Sequence, residues 1–381
     1  MKIVIAPDKF KGCLSAVDVA RAIADGCRRA AADMQVIEIP MADGGEGIVT
    51  ALVNSTRGTL HCARVTGPLP HTKVNATFGM LGDKTTAVIE MSAASGLALL
   101  STDERDPMNT TTFGTGELIV AAKKLGAKKI ILGIGGSATI DAGIGCAQAT
   151  GHTIVLQNGE PVSHSEPLTG ADISRVVLIK QHRGEITDGM EIIVACDVSN
   201  PLCGPTGSAE IFGRQKGATD SQVKQFDLAL MNLAARHGHE ELANIPGAGA
   251  AGGLGYGMLA FYSAQLKSGI ELVIDALSLR KHLKDADLCI TAEGKIDGQS
   301  RFGKTTVGVA RLCKEMKIPC IAIAGTVGDD IASIHEEGIA GCFSICNQPM
   351  QLADAMEHAS ALITAISANI SRAFIATRKQ A

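Results

Sequence analysis

The chain has 381 residues, of which 46% are hydrophobic and 19% charged, with a formal net charge of −4. That length exceeds the span of a single core, so two domains are expected, and the apolar fraction excludes a disordered chain. No basic run stands out, which argues against a nucleic-acid partner.

With no tryptophan and 3% aromatics, the cores must rest on aliphatic residues, alanine and glycine. The eleven cysteines contain no CxxC pair and read as free thiols of a cytoplasmic protein. Cys342 and Cys346 fall on one face of a predicted strand, where buried thiols are expected.

In chain order, Lys2–Ala6 reads as a strand that runs into proline and charges, unlike a signal peptide. Ser15 with Asp18 gives an N-cap and capping box for a helix to about Ala31. Gln35–Ile39 is the next strand, and the loop Asp43-Gly44-Gly45-Glu46-Gly47 leads into a helix through Val53. This alternation predicts a parallel sheet. Asp8 with Lys9 and Lys11, then Asp43 with Glu46, sit at strand carboxyl ends, where ligands of such sheets gather.

The pattern changes at Thr59–Val65, Val74–Leu81 and Thr85–Met91, short alternating strands that predict antiparallel neighbours. A helix over Gly116–Leu125 precedes the apolar run Ile130–Leu132 and a glycine-rich loop with Gly135, Gly136 and Ser137. Successive loop amides and a following helix N-terminus would suit a phosphate, and Asp141 could hold magnesium beside it. Glu191–Ala195 is a strand ending near Asp197, another candidate acid, and Ser221–Arg236 is an amphipathic helix. Ile245–Leu266 carries no charge, but its glycines and alanines suit a buried helix better than a membrane span.

The β-α pattern resumes with a strand at Leu288–Thr291, followed by Glu293-Gly294-Lys295-Ile296-Asp297. Gly298–Thr305 matches GxxxxGK[ST] letter for letter, with Lys304 in the phosphate-binding position. Its context is poor, since a P-loop begins at the strand end and needs a later Walker-B acid. A helix at Thr305–Glu315, a strand at Cys320–Ala324 and a terminal helix complete the chain. The two ends share one style. An α/β domain built from residues 1–58 and 285–381, with an inserted mixed α+β domain over 59–284, follows, and ligands of such pairs usually sit between the domains.

The residues also carry a resemblance. The chain is similar from end to end to the bacterial type I glycerate kinases. The matching stretches are MKIVIAPDKFKGCLSA at the start, ADGGEG from Ala42, VIEMSAASGLAL from Val88, FGTGELI from Phe113 and ILGIGGSATIDAG from Ile131. VACDVSNPLCG from Val194, IFGRQKGA from Ile211, GAGAAGGLG from Gly247, SGIELV from Ser268, ITAEGKID from Ile290 and AGTVGDD from Ala324 follow in order. Members of that family usually have serine at Lys9 and Gly298, glycine at Ala142 and Ala292, arginine at Lys295 and proline at Arg214.

The resemblance implies a two-domain α/β fold with a flavodoxin-like parallel-sheet part. It also implies ATP-dependent phosphorylation of D-glycerate to 2-phosphoglycerate in the breakdown of organic acids such as glycolate. ATP and Mg2+ are the expected cofactors, a membrane partner is not expected, and a homo-oligomer is left open. Asp43, Asp141 and Asp197 are candidates for magnesium or the base, with Lys11 as a catalytic cation. Gly135, Gly136, Ser137 and Lys304 are assigned to phosphate, with the nucleotide favoured over phosphorylated glycerate as the glycine loop's partner, and Asp8, Glu46, Glu293 and Asp297 to substrate. A glycerate 3-kinase, a P-loop nucleotidase centred on Gly298–Thr305 and a non-catalytic small-anion binder are the alternatives.

Overall fold

The computed structural model describes residues 1–41, 47–163, 165–180, 187–297, 305–329 and 331–378. The chain divides into two compact units, Met1–Asp43 with Ile270–Ala381, and Gly44–Gly269. These bounds differ from the expected 58/59 and 284/285. The helix Ile48–Thr56 packs on strands of the second unit rather than on the N-terminal sheet, and the helix Gly269–Ala276 contributes to the first.

Strands are labelled in chain order. β1 (Lys2–Ile5) and β2 (Gln35–Glu38) open the first unit. The helix between them, Ala16–Ala30, starts where Ser15 accepts a bond from the Asp18 amide at 3.2 Å. The Asp18 carboxylate takes the Ser15 hydroxyl at 2.6 Å instead of closing the reciprocal capping box. Its Val19, Ile23 and Cys27 face is buried in one core with Ile363 and Ile370 of the last helix, Ala359–Arg378. A Cβ on Gly26 would stand 2.4 Å from the Thr364 carbonyl, so glycine sets how closely those two helices cross. The stretch Ala359–Thr377 is long and apolar enough to cross a bilayer by length and composition, with part of its surface buried in this core.

The second unit holds β3 (Thr59–Thr66), β4 (Lys73–Met80), β5 (Thr86–Glu90), β6 (Lys129–Gly133), β7 (Thr153–Leu156), β8 (Val176–Lys180), β9 (Glu191–Ala195) and β10 (Gln265–Lys267). Six of these form one sheet in the order β10-β9-β6-β5-β4-β3. β3, β4 and β5 are antiparallel neighbours, whereas β5, β6, β9 and β10 run parallel. β5, β6 and β9 therefore deliver their carboxyl ends to the same edge. β7 and β8 make a separate ribbon. The uncharged segment forms the helix Ala250–Tyr262, which is interrupted by left-handed residues at Ala251, Gly252 and Gly253 and almost wholly buried.

The chain returns to the first unit with β11 (Leu288–Ile296), β12 (Cys320–Val327) and β13 (Ile339–Ser344). β11 and β12 pair as far as Ile296 and Val327, so Glu293 and Lys295 lie within a strand rather than on the loop expected after Thr291. The five-stranded sheet is parallel throughout, in the order β13-β12-β11-β1-β2. Counted within the unit, that order is the flavodoxin-like one, with its winding reversal between β1 and β11.

Candidate active site

A parallel α/β sheet offers a crevice where neighbouring connections leave in opposite directions, outside the strand carboxyl ends. In the first unit this point lies between β1 and β11. The Asp8 amide donates to the Ala292 carbonyl at 2.8 Å, which sets Asp8 beside Glu293. Asp8 is almost fully buried; its Oδ1 accepts from the Lys9 amide and its Oδ2 from the Thr305 hydroxyl, each at 2.7 Å. Thr306 donates to the Glu293 carboxylate at 3.2 Å. Both hydroxyls come from the first turn of the helix Thr305–Glu315, whose amino end stabilises nearby carboxylates.

A cavity of about 600 Å³ opens over these acids. Lys9, Lys11 and Lys295 are among its lining residues, and Phe10, Ile345, Met350, Leu352 and Met356 give it apolar surface. Lys295 is exposed and forms an ion pair with Asp297 at 2.9 Å. Cys346 lies beyond the end of β13 and is exposed at this cavity, contrary to the buried position expected for it. Lys304 and the rest of Gly298–Lys304 lie outside the described residues. The Thr305 hydroxyl, which a P-loop would turn toward a metal ion, is engaged by Asp8.

In the second unit the glycine loop follows β6 as expected. Gly135 and Gly136 are exposed, and Gly136 takes φ +70°, a turn conformation suited to glycine. The loop is strapped by the segment after β5: the Leu97 amide donates to the Gly136 carbonyl and the Ala138 amide to the Ser95 carbonyl. Among the described residues, the Gly135 and Gly136 amides meet no protein acceptor, which leaves two donors facing out.

The helix expected to strengthen that cradle is placed differently. It spans only Ile144–Ala149, and Asp141 covers its start. Asp141 has no exposed surface. Its Oδ2 accepts from the amide and hydroxyl of Thr112 at 2.8 and 2.7 Å, and its Oδ1 accepts from the Gly143 amide at 3.1 Å. Burial pushes its pKa up, and those bonds oppose the rise. The structure therefore makes Asp141 an internal brace. Both oxygens accept bonds from the protein, and Asp141 lines neither of the two cavities described here.

The residue that sequence reasoning missed here is Lys216. It is buried, and its Nζ donates to the Ser137 hydroxyl at 2.7 Å and to the Thr139 carbonyl at 2.8 Å. Burial lowers its pKa to about 7, against the upward pull of Asp141. Its one sequence signal is a lysine set between Gly213 and Gly217 and flanked by Phe212 and Ala218. A cavity of about 240 Å³ is lined by Gly135, Gly136, Ser137, Lys216, Gln215 and Asp197. Asp197, exposed just past β9, accepts from the Gly269 amide at 2.8 Å.

Asp43 and Glu46 lie outside the described residues. The helix after them begins at Ile48, and Glu90 at the end of β5 caps it by accepting from the amides of Gly47 at 2.8 Å and Val49 at 3.3 Å. Glu90 is a second residue to which the sequence reading gave no role.

Two carboxyl-end cavities, one rimmed by acids and lysines and one by open amides and a buried lysine, are the equipment of phosphoryl transfer. A profile described as "Glycerate kinase family" matches residues 3–375. The chain belongs to the glycerate kinase family. It is 46% identical over 376 residues to the glycerate kinase of Haemophilus influenzae, covering 98% of both chains. It is 45% identical over 377 residues to the glycerate 2-kinase of Escherichia coli, covering 97% of both. A crystal structure described as glycerate kinase 2 from Salmonella typhimurium LT2 superposes with a TM-score of 0.86 at 41% identity, with 99% of each chain covered. The α/β fold and the kinase activity belong to this glycerate kinase family member accordingly, and a kinase takes its phosphoryl group from a nucleotide such as ATP.

Proposed function

We propose that the chain transfers the γ-phosphoryl group of ATP to the 2-hydroxyl of D-glycerate, releasing ADP and 2-phosphoglycerate. The 2-position rests on the relative from Escherichia coli whose name specifies it. The observation that carries the division of labour is cavity size. About 600 Å³ suits a nucleotide, whereas about 240 Å³ suits a three-carbon acid.

On this reading the apolar surface of Ile345, Met350 and Met356 takes the base, and Lys11 and Lys295 take phosphates. Asp297 holds Lys295 in place. Asp8 and Glu293 bring hard carboxylate oxygens to the lining of this cavity, a donor set that fits Mg2+ beside phosphate. When bound, that ion would neutralise charge on the phosphate oxygens.

In the second unit, the Gly135 and Gly136 amides and the Ser137–Lys216 pair bind the anionic part of the acceptor. Asp197 is the candidate to accept the hydroxyl proton, since its carboxylate lines the same cavity. Asp43, Glu46 and Lys304 stay as candidates from the sequence alone. Eleven unpaired cysteines suit a reducing, cytoplasmic setting.

The test is ADP release measured with and without D-glycerate in the presence of magnesium. Release that requires D-glycerate supports the reading. Release independent of any acceptor would favour a nucleotidase, and binding without release a non-catalytic anion binder.

A further inference from the structure

Cys289, Cys313 and Cys320 come from three different elements of the first unit: the start of β11, the helix Thr305–Glu315 and the start of β12. Cys289 and Cys320 sit directly opposite each other on paired parallel strands, and Cys313 comes down on them from the covering helix. None of the three has exposed surface, none is in a disulfide, and their sulfurs all lie within 4.8 Å of one another. Hydrogen bonds among the three favour the thiolate at Cys313 over the other two.

This cluster lies at the amino ends of β11 and β12, away from the Asp8 and Glu293 carboxylates. Phosphoryl transfer has no use for it. Packing would be served as well by valine or alanine, which carry no mutually bonding polarisable atoms. An atom that bonds three sulfurs at about 2.3 Å sets them about 4 Å apart, inside the 4.8 Å limit within which these three lie. No histidine, aspartate or glutamate among the described residues joins the group, so the tetrahedral set that zinc favours is incomplete.

Charge decides between the remaining thiophiles. Three thiolates would bury two net negative charges around a monovalent ion, and one around a soft divalent ion, in an apolar interior, at a cost of several kcal/mol per ion. A trivalent three-coordinate centre leaves no net charge. We propose that Cys289, Cys313 and Cys320 form a binding site for a trivalent thiophile of the arsenic(III) class. The step balances as As(OH)3 plus three thiols giving As(S-Cys)3 plus three waters, with three As–O bonds replaced by three As–S bonds and no change in oxidation state. Access comes at the helix end, where Lys314, Glu315, Lys317 and Pro319 are exposed around the buried Cys313. Adduct formation is therefore slow and limited by opening of that turn.

The experiment treats the full folded chain with arsenite, followed by native mass spectrometry and arsenic X-ray absorption. The expected adduct carries one arsenic, lacks three hydrogens and shows three sulfur neighbours. It also raises the melting temperature by tying β11, the helix and β12 together. C289S, C313S and C320S, with the alanine equivalents as packing controls, should each lose the three-sulfur adduct. A variant lacking the exposed Cys62 and Cys346 should keep it. Absence of the adduct in the folded wild-type chain, or its persistence when all three buried cysteines are replaced, would overturn the proposal.

Discussion

The Nζ of Lys216 donates to the Ser137 hydroxyl across 2.7 Å, placing a buried cation directly behind the glycine loop that follows β6. With its proton on, as it is below about pH 7, this lysine makes one electropositive wall with the loop amides. A charge-assisted hydrogen bond in such a setting contributes about 1.5–3 kcal/mol. Lys216→Met should therefore lower kcat/KM for D-glycerate about 10- to 100-fold. Nucleotide affinity, measured by calorimetry, should stay near that of the wild type.

The same lysine gives the chain a pH signature. Its pKa in the folded state is about 7 against an ordinary 10.5, because burial disfavours the charged form. Between those values the unfolded chain holds a proton that the folded chain lacks, so stability rises with pH across that window. Below about pH 7 both states are protonated and the contribution to the slope vanishes. Denaturant titrations from pH 7 to 10 should show the slope in the wild type and its loss in Lys216→Met.

Asp141 and Asp197 should respond differently to amidation. Asp141→Asn replaces one acceptor oxygen by a donor facing Thr112 or Gly143, so it should cost about 2–3 kcal/mol of stability. Its lost activity should follow its lost fold, and the folded fraction should keep its magnesium dependence. Asp197→Asn should keep the wild-type melting temperature and lose most of kcat. Thermal melts run beside initial rates separate the two.

Ala142 sits at φ +53°, in the left-handed region that an alanine side chain disfavours. Members of the family usually carry glycine there. Ala142→Gly should raise stability by about 1 kcal/mol with no change in turnover, read as a shift in urea midpoint at constant slope.

Asp8→Asn and Glu293→Gln should each cut kcat at least 100-fold while D-glycerate binding persists, because both acids stand in the nucleotide unit. Thr305→Val should fall in the same direction by less, since that hydroxyl acts only by holding Asp8. Initial rates at varied magnesium give the comparison.

Much of the architecture was legible because strand and helix periods differ. β1, β2, β6 and β9 stand where the apolar runs put them, and the antiparallel group β3 to β5 was signalled by its alternation and turns. The end of β11 was not legible, since Glu293, Gly294 and Lys295 look like a loop until pairing with β12 is known. The surroundings of Asp141 were illegible for a similar reason. An acid after a glycine loop reads as a metal ligand, and only the fold reveals that Thr112 and Gly143 consume it. Lys216 was missed because lysine is ordinarily a surface residue, and its burial depends on contacts with Ser137 and Thr139, more than seventy residues away.

Phosphorus NMR of the product formed from D-glycerate, ATP and magnesium tests the account most directly. It predicts one new phosphate ester, coupled to the single proton on C2, as in 2-phosphoglycerate. Coupling to the two protons on C3, or no ester at all while the chain remains folded, would contradict it.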